Sequence, residues 1–213
     1  MIVDRKIEEY LLDLTPLAHD LLLEMEDVAE RDQVPIIERP SIQFIRTLLM
    51  YKADIKSILE IGTAIGYSTI WLAEAAPQAE VDTIERDEAR FQQAQSYIQR
   101  ANLQGRVHLH LGDATTYAEE LKNKQYDMIF IDAAKGQYQL FFEQYTALLK
   151  PGGLVITDNV FFHGEVVAEI IEQKRIRSMV EKIKRYNEWL VNLEAFETSF
   201  VPIGDGLAIS VKK

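Results

Sequence analysis

Five short runs dominated by apolar and β-branched residues, SILEIG, EVDTIE, VHLHLG, YDMIFIDA and GLVITDN, follow one another with a helix-length stretch between each pair. Strands separated in this way need crossover connections, which make neighbouring strands parallel and put helices on both faces of the sheet. The spacing predicts an α/β fold with a doubly wound, mostly parallel sheet and crossover helices beginning near Tyr67, Asp87, Ala114, Gln137 and Glu165. The end of the chain breaks this rhythm. AFETSFVPIG and LAISVKK are separated by Gly204-Asp205-Gly206, a hairpin-type turn that makes them antiparallel neighbours. Ahead of the alternation, Tyr10, Leu11 and Leu14 recur at helical spacing, Pro16 interrupts, and Leu17, Leu21, Met25 and Val28 resume. After the connector VPIIERP, Ser41 is placed to cap a helix whose face is Ile42, Ile45, Leu48 and Leu49. The chain therefore reads as one domain over 1–213, with a helical lead-in to position 52 and a sheet core from 53 onward.

Composition narrows the chemistry. With 47% hydrophobic residues in 213, the chain can bury a core of ordinary size. It has no cysteine, which excludes disulfides, thiolate zinc sites and a cysteine nucleophile and suits a cytoplasmic setting. The start MIVDRKIEEY has no secretory pattern, and no apolar run is long enough to span a membrane. A net charge of −11 argues against a surface that binds nucleic acid everywhere, but one segment departs from that balance: EQKRIRSMVEKIKRY carries Lys174, Arg175, Arg177, Lys182, Lys184 and Arg185. That segment suits RNA phosphates, or equally a solvated helix face balanced by Glu172 and Glu181.

In an open parallel sheet, ligands bind beyond the carboxyl ends of the strands. Gly62 and Gly66 stand there, after the first strand, in the stretch ILEIGTAIGYSTI. Their spacing is not the G-x-G-x-x-G of dinucleotide folds, and no Gly-Lys-Ser/Thr follows, so a pyrophosphate cradle is disfavoured. Glu85 closes the second strand, where a carboxylate can accept both hydroxyls of a ribose. Asp113 and Ala114 close the third, at the place for an adenine edge. An adenosine without a pyrophosphate fits these loops, and S-adenosylmethionine is the common cofactor of that description. Asp132, Asp158 and Asn159 end two neighbouring strands and form an oxygen set suited to a hard cation such as Mg²⁺. Beside such an ion, Lys135 is placed to act as a general base. Each residue also has a plainer reading: the glycines allow a tight turn, the acids form caps and Asx-turns, and the lysine is solvated.

ILEIGTAIGYST, Glu85, FIDAAKGQY, LKPGGLVITDNV and the terminal GDGLAIS together resemble the cation-dependent O-methyltransferases that include catechol and caffeoyl-CoA O-methyltransferases. Within that family the length and helical lead-in resemble the bacterial tRNA 5-hydroxyuridine methyltransferases. The resemblance implies a Rossmann-like, seven-stranded sheet with a reversed last strand, and a homodimer. It carries the catalytic roles to Lys135 and Asp132, the metal to Asp132, Asp158 and Asn159, and the cofactor to Glu38, Gly62, Ser68, Glu85, Asp113, Ala114 and Asp132. The expected reaction is methylation of a wobble 5-hydroxyuridine of tRNA. The alternative is a small-molecule O-methyltransferase for vicinal phenols, with catechols less favoured because Ala208 follows Asp205-Gly206-Leu207 where catechol enzymes carry a glutamate. A binding module that keeps the cofactor and has lost turnover is disfavoured by the intact Asp132, Lys135, Asp158 and Asn159.

Overall fold

In the computed structural model, which describes residues 5–16 and 18–213, the apolar runs form strands of a single sheet. They are β1 (Ser57–Ile61), β2 (Glu80–Glu85), β3 (Val107–Leu111), β4 (Tyr126–Ile131) and β5 (Leu149–Thr157), joined by β6 (Phe196–Val201) and β7 (Leu207–Lys212). The order across the sheet is β3-β2-β1-β4-β5-β7-β6. All pairings among β1 to β5 are parallel, whereas β7 runs antiparallel to both β5 and β6. The expected doubly wound, seven-stranded sheet with a reversed terminal strand is what the chain forms.

Ile58, Leu59 and Ile61 of β1 and Met128 to Ile131 of β4 are apolar because both faces of the sheet are covered, with Glu60 the exception inside β1. Ile58 of β1 joins a core that includes Leu22, Ile45, Ile70 and Ile98, while its neighbours Leu59 and Ile61 point into a second core with Phe142, Tyr186 and Leu190. Helices α2 (Asp20–Asp32), α3 (Arg39–Tyr51), α4 (Tyr67–Ala75) and α5 (Glu88–Arg100) bury their apolar faces in the first core. Helices α6 (Tyr138–Tyr145) and α7 (Lys174–Val191) bury theirs in the second. Helix α1 (Arg5–Leu14) leads the chain, and Leu17, expected in the second helical stretch, lies outside the described residues. Among the described residues no helix is long and apolar enough to cross a membrane.

Three local expectations differ from the structure. No helix starts at Ala114; a 3₁₀ turn, Tyr117–Leu121, stands there instead. Asp113 Oδ1 accepts the backbone N–H and the hydroxyl of Thr115, both at 2.8 Å, and this Asx-turn competes with helix initiation. The helix expected from Glu165 begins only at Lys174, because His163 (φ 53°) and Gly164 (φ 81°) turn the chain through the left-handed region first. Ser41 does not cap α3. Glu38 occupies the N-cap position with a proline in the first turn, which fixes the start, and Ser41 is buried with its hydroxyl 3.4 Å from the Ile203 carbonyl.

Strands β1 and β4 lie side by side at the point where the strand order reverses, and Gly62 is the first residue beyond β1. Its φ is 102°, and a Cβ built there would stand 2.0 Å from the Asp132 carbonyl oxygen. Both facts demand glycine. Gly62→Ala is expected to destabilise the protein by about 3 kcal/mol or more, read as a lowered urea midpoint at unchanged slope.

Candidate functional site

A cavity of about 710 Å³ opens beyond the carboxyl ends of β1, β2, β4 and β5. It is bounded by Glu38, Gly62, Ser68, Glu85, Asp113, Ala114, Asp132, Lys135, Asp158 and Asn159, so every residue expected from the sequence to touch a cofactor, a cation or the reacting hydroxyl meets one space. The reversal of strand order at β1 and β4 sends the crossovers that leave them to opposite faces, and the crevice between is the usual ligand position of such sheets.

Glu85 is held rigidly. Its Oε2 accepts the Ala64 N–H at 2.8 Å and its Oε1 accepts the N–H groups of Arg86 and Asp87 at 2.9 and 2.8 Å. The carboxylate therefore clamps the glycine turn after β1 to the turn after β2. The Thr115 contacts hold the Asp113 carboxyl below the usual range. Tyr145 donates to the Ala114 carbonyl at 2.7 Å and so fixes the third loop.

Ser68 faces the cavity, but its hydroxyl donates to Glu60 Oε1 at 2.5 Å. Glu60, which the sequence reading left without a role, is fully buried in β1 and also receives the hydroxyls of Thr69 and Thr83. Burial pushes its carboxyl up to about 7, against these hydroxyl donors, which pull it down. Its signal in the sequence was an acid inside an apolar strand.

Asp132, Lys135, Asp158 and Asn159 meet at another part of the cavity wall. Lys135 Nζ donates to Asn159 Oδ1, and the Asn159 N–H donates to Asp158 Oδ1 at 2.7 Å. Burial raises the Asp132 carboxyl, with the nearby Lys135 charge pulling the other way. Burial also raises Asp158 well above the carboxylate range, and the Asp132 charge adds to the effect. Two carboxyls and an amide oxygen are the donor chemistry of a hard cation, and an ion there would relieve their mutual repulsion. The expected magnesium centre nevertheless has to be corrected: among the described residues no group of three or more His, Cys, Asp or Glu could hold a metal ion.

The basic segment does not join the site. Lys174, Arg175, Arg177, Lys182, Lys184 and Arg185 lie on α7, whose buried face is Val180, Ile183, Tyr186 and Leu190, and none of them lines the cavity. Arg177 and Arg185 donate to the carbonyls of Ile171 and Glu181 at 3.1 and 3.2 Å, as residues of a solvated helix face do. Ala208 is buried in the second core and does not line the cavity, so the residue type there says little about the substrate. Two further cavity residues, His163 and Asp205, are paired at 2.8 Å between Nδ1 and Oδ1.

Glu60 gives a pH prediction. Its folded value lies above the ordinary 4.5 of a glutamate, so its contribution to stability is fully present below pH 4.5 and is lost as pH rises through about 7. Between pH 4.5 and about 8 the protein should lose roughly 3 kcal/mol that the Glu60→Gln variant retains, measured by denaturant titration across that range.

Comparison with known proteins places this geometry. A family model described as O-methyltransferase matches residues 15–213. A catechol O-methyltransferase from Niastella koreensis is 32% identical, covering 97% of this chain and 96% of its own. A candidate caffeoyl-CoA O-methyltransferase from Staphylococcus aureus superposes with a TM-score of 0.91 at 42% identity, covering 98% of this chain and all of its own. An O-methyltransferase from Bacillus cereus, solved with SAH, gives a TM-score of 0.84 at 30% identity, covering 98% and 97%. None of these relatives is a tRNA hydroxyuridine methyltransferase. The expected likeness to that group, the tRNA substrate and the tRNA partner are overturned in favour of the small-molecule alternative.

Proposed function

The chain belongs to the O-methyltransferase family, and from that membership we propose that it methylates a hydroxyl of a small phenol carrying two adjacent oxygens, with S-adenosylmethionine as methyl donor. The observation that carries this reading is the meeting of Lys135 and Asn159 in the same cavity as the Glu85 and Asp113 loops. One end of that space suits an adenosine and the other a hydroxyl about to lose its proton.

In this reading Glu85 accepts the ribose hydroxyls, while Asp113 and Ala114 border the adenine. Glu38, Gly62, Ser68 and Asp132 border the remainder of the donor. Bound S-adenosylmethionine supplies the electrophilic methyl. Lys135 takes the proton of the acceptor hydroxyl, and the Asn159 amide oxygen fixes where its amine sits. The walls hold donor and acceptor in one orientation, which converts an encounter of two molecules into a reaction within a complex. Turnover with and without a chelator decides whether a divalent cation takes part.

The test is transfer of labelled methyl from S-adenosylmethionine to catechol, caffeate and caffeoyl-CoA by the purified protein, with bulk tRNA as a control. Label is expected in a phenol, and its absence from all three would refute the reading. Lys135→Met should lower kcat by about a hundredfold or more and leave the affinity for adenosylhomocysteine within about threefold of wild type, by calorimetry.

A further inference from the structure

The turn between β6 and β7 brings Asp205 to the edge of the cavity, where it is 7% exposed. Its Oδ2 lies 3.3 Å from Asn159 Nδ2, and its Oδ1 lies 3.1 Å from the His163 N–H and 2.8 Å from His163 Nδ1. The backbones meet as well: the N–H groups of Val160 and Phe161 donate to the carbonyls of Gly206 and Asp205 at 3.1 and 3.0 Å. A side chain at Gly206 would strike the Phe161 ring at 2.2 Å, so the two turns are in direct contact.

The turn that Asp205 braces is costly on its own. Asn159, Phe162, His163 and Gly164 have φ of 57°, 45°, 53° and 81°, and three of the four are not glycine. Left-handed backbone at such residues persists only where surrounding contacts hold it. Asn159 is the member that reaches the reacting end.

An asparagine amide has one acceptor atom and one donor group, and its neighbours choose which way it faces. An amine on its Oδ1 side and a carboxylate on its Nδ2 side give a single consistent arrangement: Asp205 accepts from Nδ2, which turns Oδ1 toward Lys135. Reversing the amide would set its NH₂ against the lysine ammonium and its oxygen against the carboxylate.

We propose that Asp205 is a positioning residue for the methyl transfer: through the Asn159 amide it sets the acceptor that holds Lys135 Nζ in place. It touches neither substrate nor cofactor in this role. The inference rests on the O-methyltransferase reading above for its kinetic consequence, but its geometric part stands without any substrate.

The test uses polarity. In Asp205→Asn the single amide oxygen stays on the His163 N–H, which needs an acceptor, so an NH₂ meets Asn159 Nδ2, the Asn159 amide turns over and Lys135 loses its acceptor. Adding Asn159→Asp restores an acceptor on both sides, because a carboxylate accepts from the new amide and from Lys135 alike, and aspartate tolerates a left-handed backbone as asparagine does. With a phenol as acceptor, kcat of Asp205→Asn should fall by about tenfold or more at unchanged affinity for adenosylhomocysteine. The double variant should recover to within about threefold of wild type. A merely structural brace would not be rescued by exchanging the two groups. An Asp205→Asn variant with wild-type kcat, or a folded double variant no better than the single one, overturns the proposal.

If Asp205→Asn does not fold, the double variant must both fold and turn over, and its failure counts against the proposal equally. In the wild-type protein, the Asn159 side-chain NH₂ signals in a ¹⁵N spectrum should exchange slowly with water, and fast exchange contradicts the Asp205 contact. That measurement needs no turnover. A wild type that methylates no phenol but shows slow exchange would sink the substrate reading and leave the geometry standing.

Discussion

The close passage of β1 over the end of β4 governs the whole active crevice. The Asp132 N–H donates to the Ile61 carbonyl at 3.0 Å and the Gly62 N–H to the Ile84 carbonyl at 3.1 Å, so the three strand ends are tied within one turn of each other. No side chain fits between Gly62 and the Asp132 carbonyl. The same approach that forbids a Cβ brings the turn after β1 and the Asp132 carboxyl to the wall of one cavity. Close packing of backbone against backbone is thus the source of the site's shape, and the polar groups are mounted upon it.

Those polar groups fall into two sets that behave differently. Glu85 has its oxygens occupied by backbone N–H groups, which keep it oriented whether or not a ligand is bound. Asp132 and Asp158 are buried with their charges opposing one another, a state that favours whatever neutralises them. The Glu85 end of the cavity is therefore fixed by hydrogen bonds within the protein, whereas burial and mutual repulsion act on the carboxyls at the Asp132–Asp158 end.

Much of this was legible in the sequence. The alternation of apolar runs with helix-length stretches gave the parallel sheet, and Gly204-Asp205-Gly206 gave the antiparallel end, because strand period and turn chemistry are local properties. The site residues were legible where they sat at strand ends, as Glu85, Asp132 and Asp158 do. Two crossover segments were misread because side chains and backbone signs intervened: Asp113 draws Thr115 into a tight turn, and the left-handed residues after Asn159 postpone α7. The Ser68–Glu60 and Asp205–Asn159 pairs were not legible, since each joins residues of different elements through side chains alone. The basic run on α7 looked like an RNA surface in one dimension and is one flank of an amphipathic helix in three.

The place of β7 links the closing of the sheet to the closing of the cavity. The outermost strand, β6, joins the sheet only through β7, which is inserted between it and β5, so the outer edge of β5 and the inner edge of β6 are both satisfied by β7. The same segment carries the turn that meets Ser41, 162 positions earlier in the chain. Without β7 those edges would stand unpaired, and the cavity would lose the wall that Asp205 supplies.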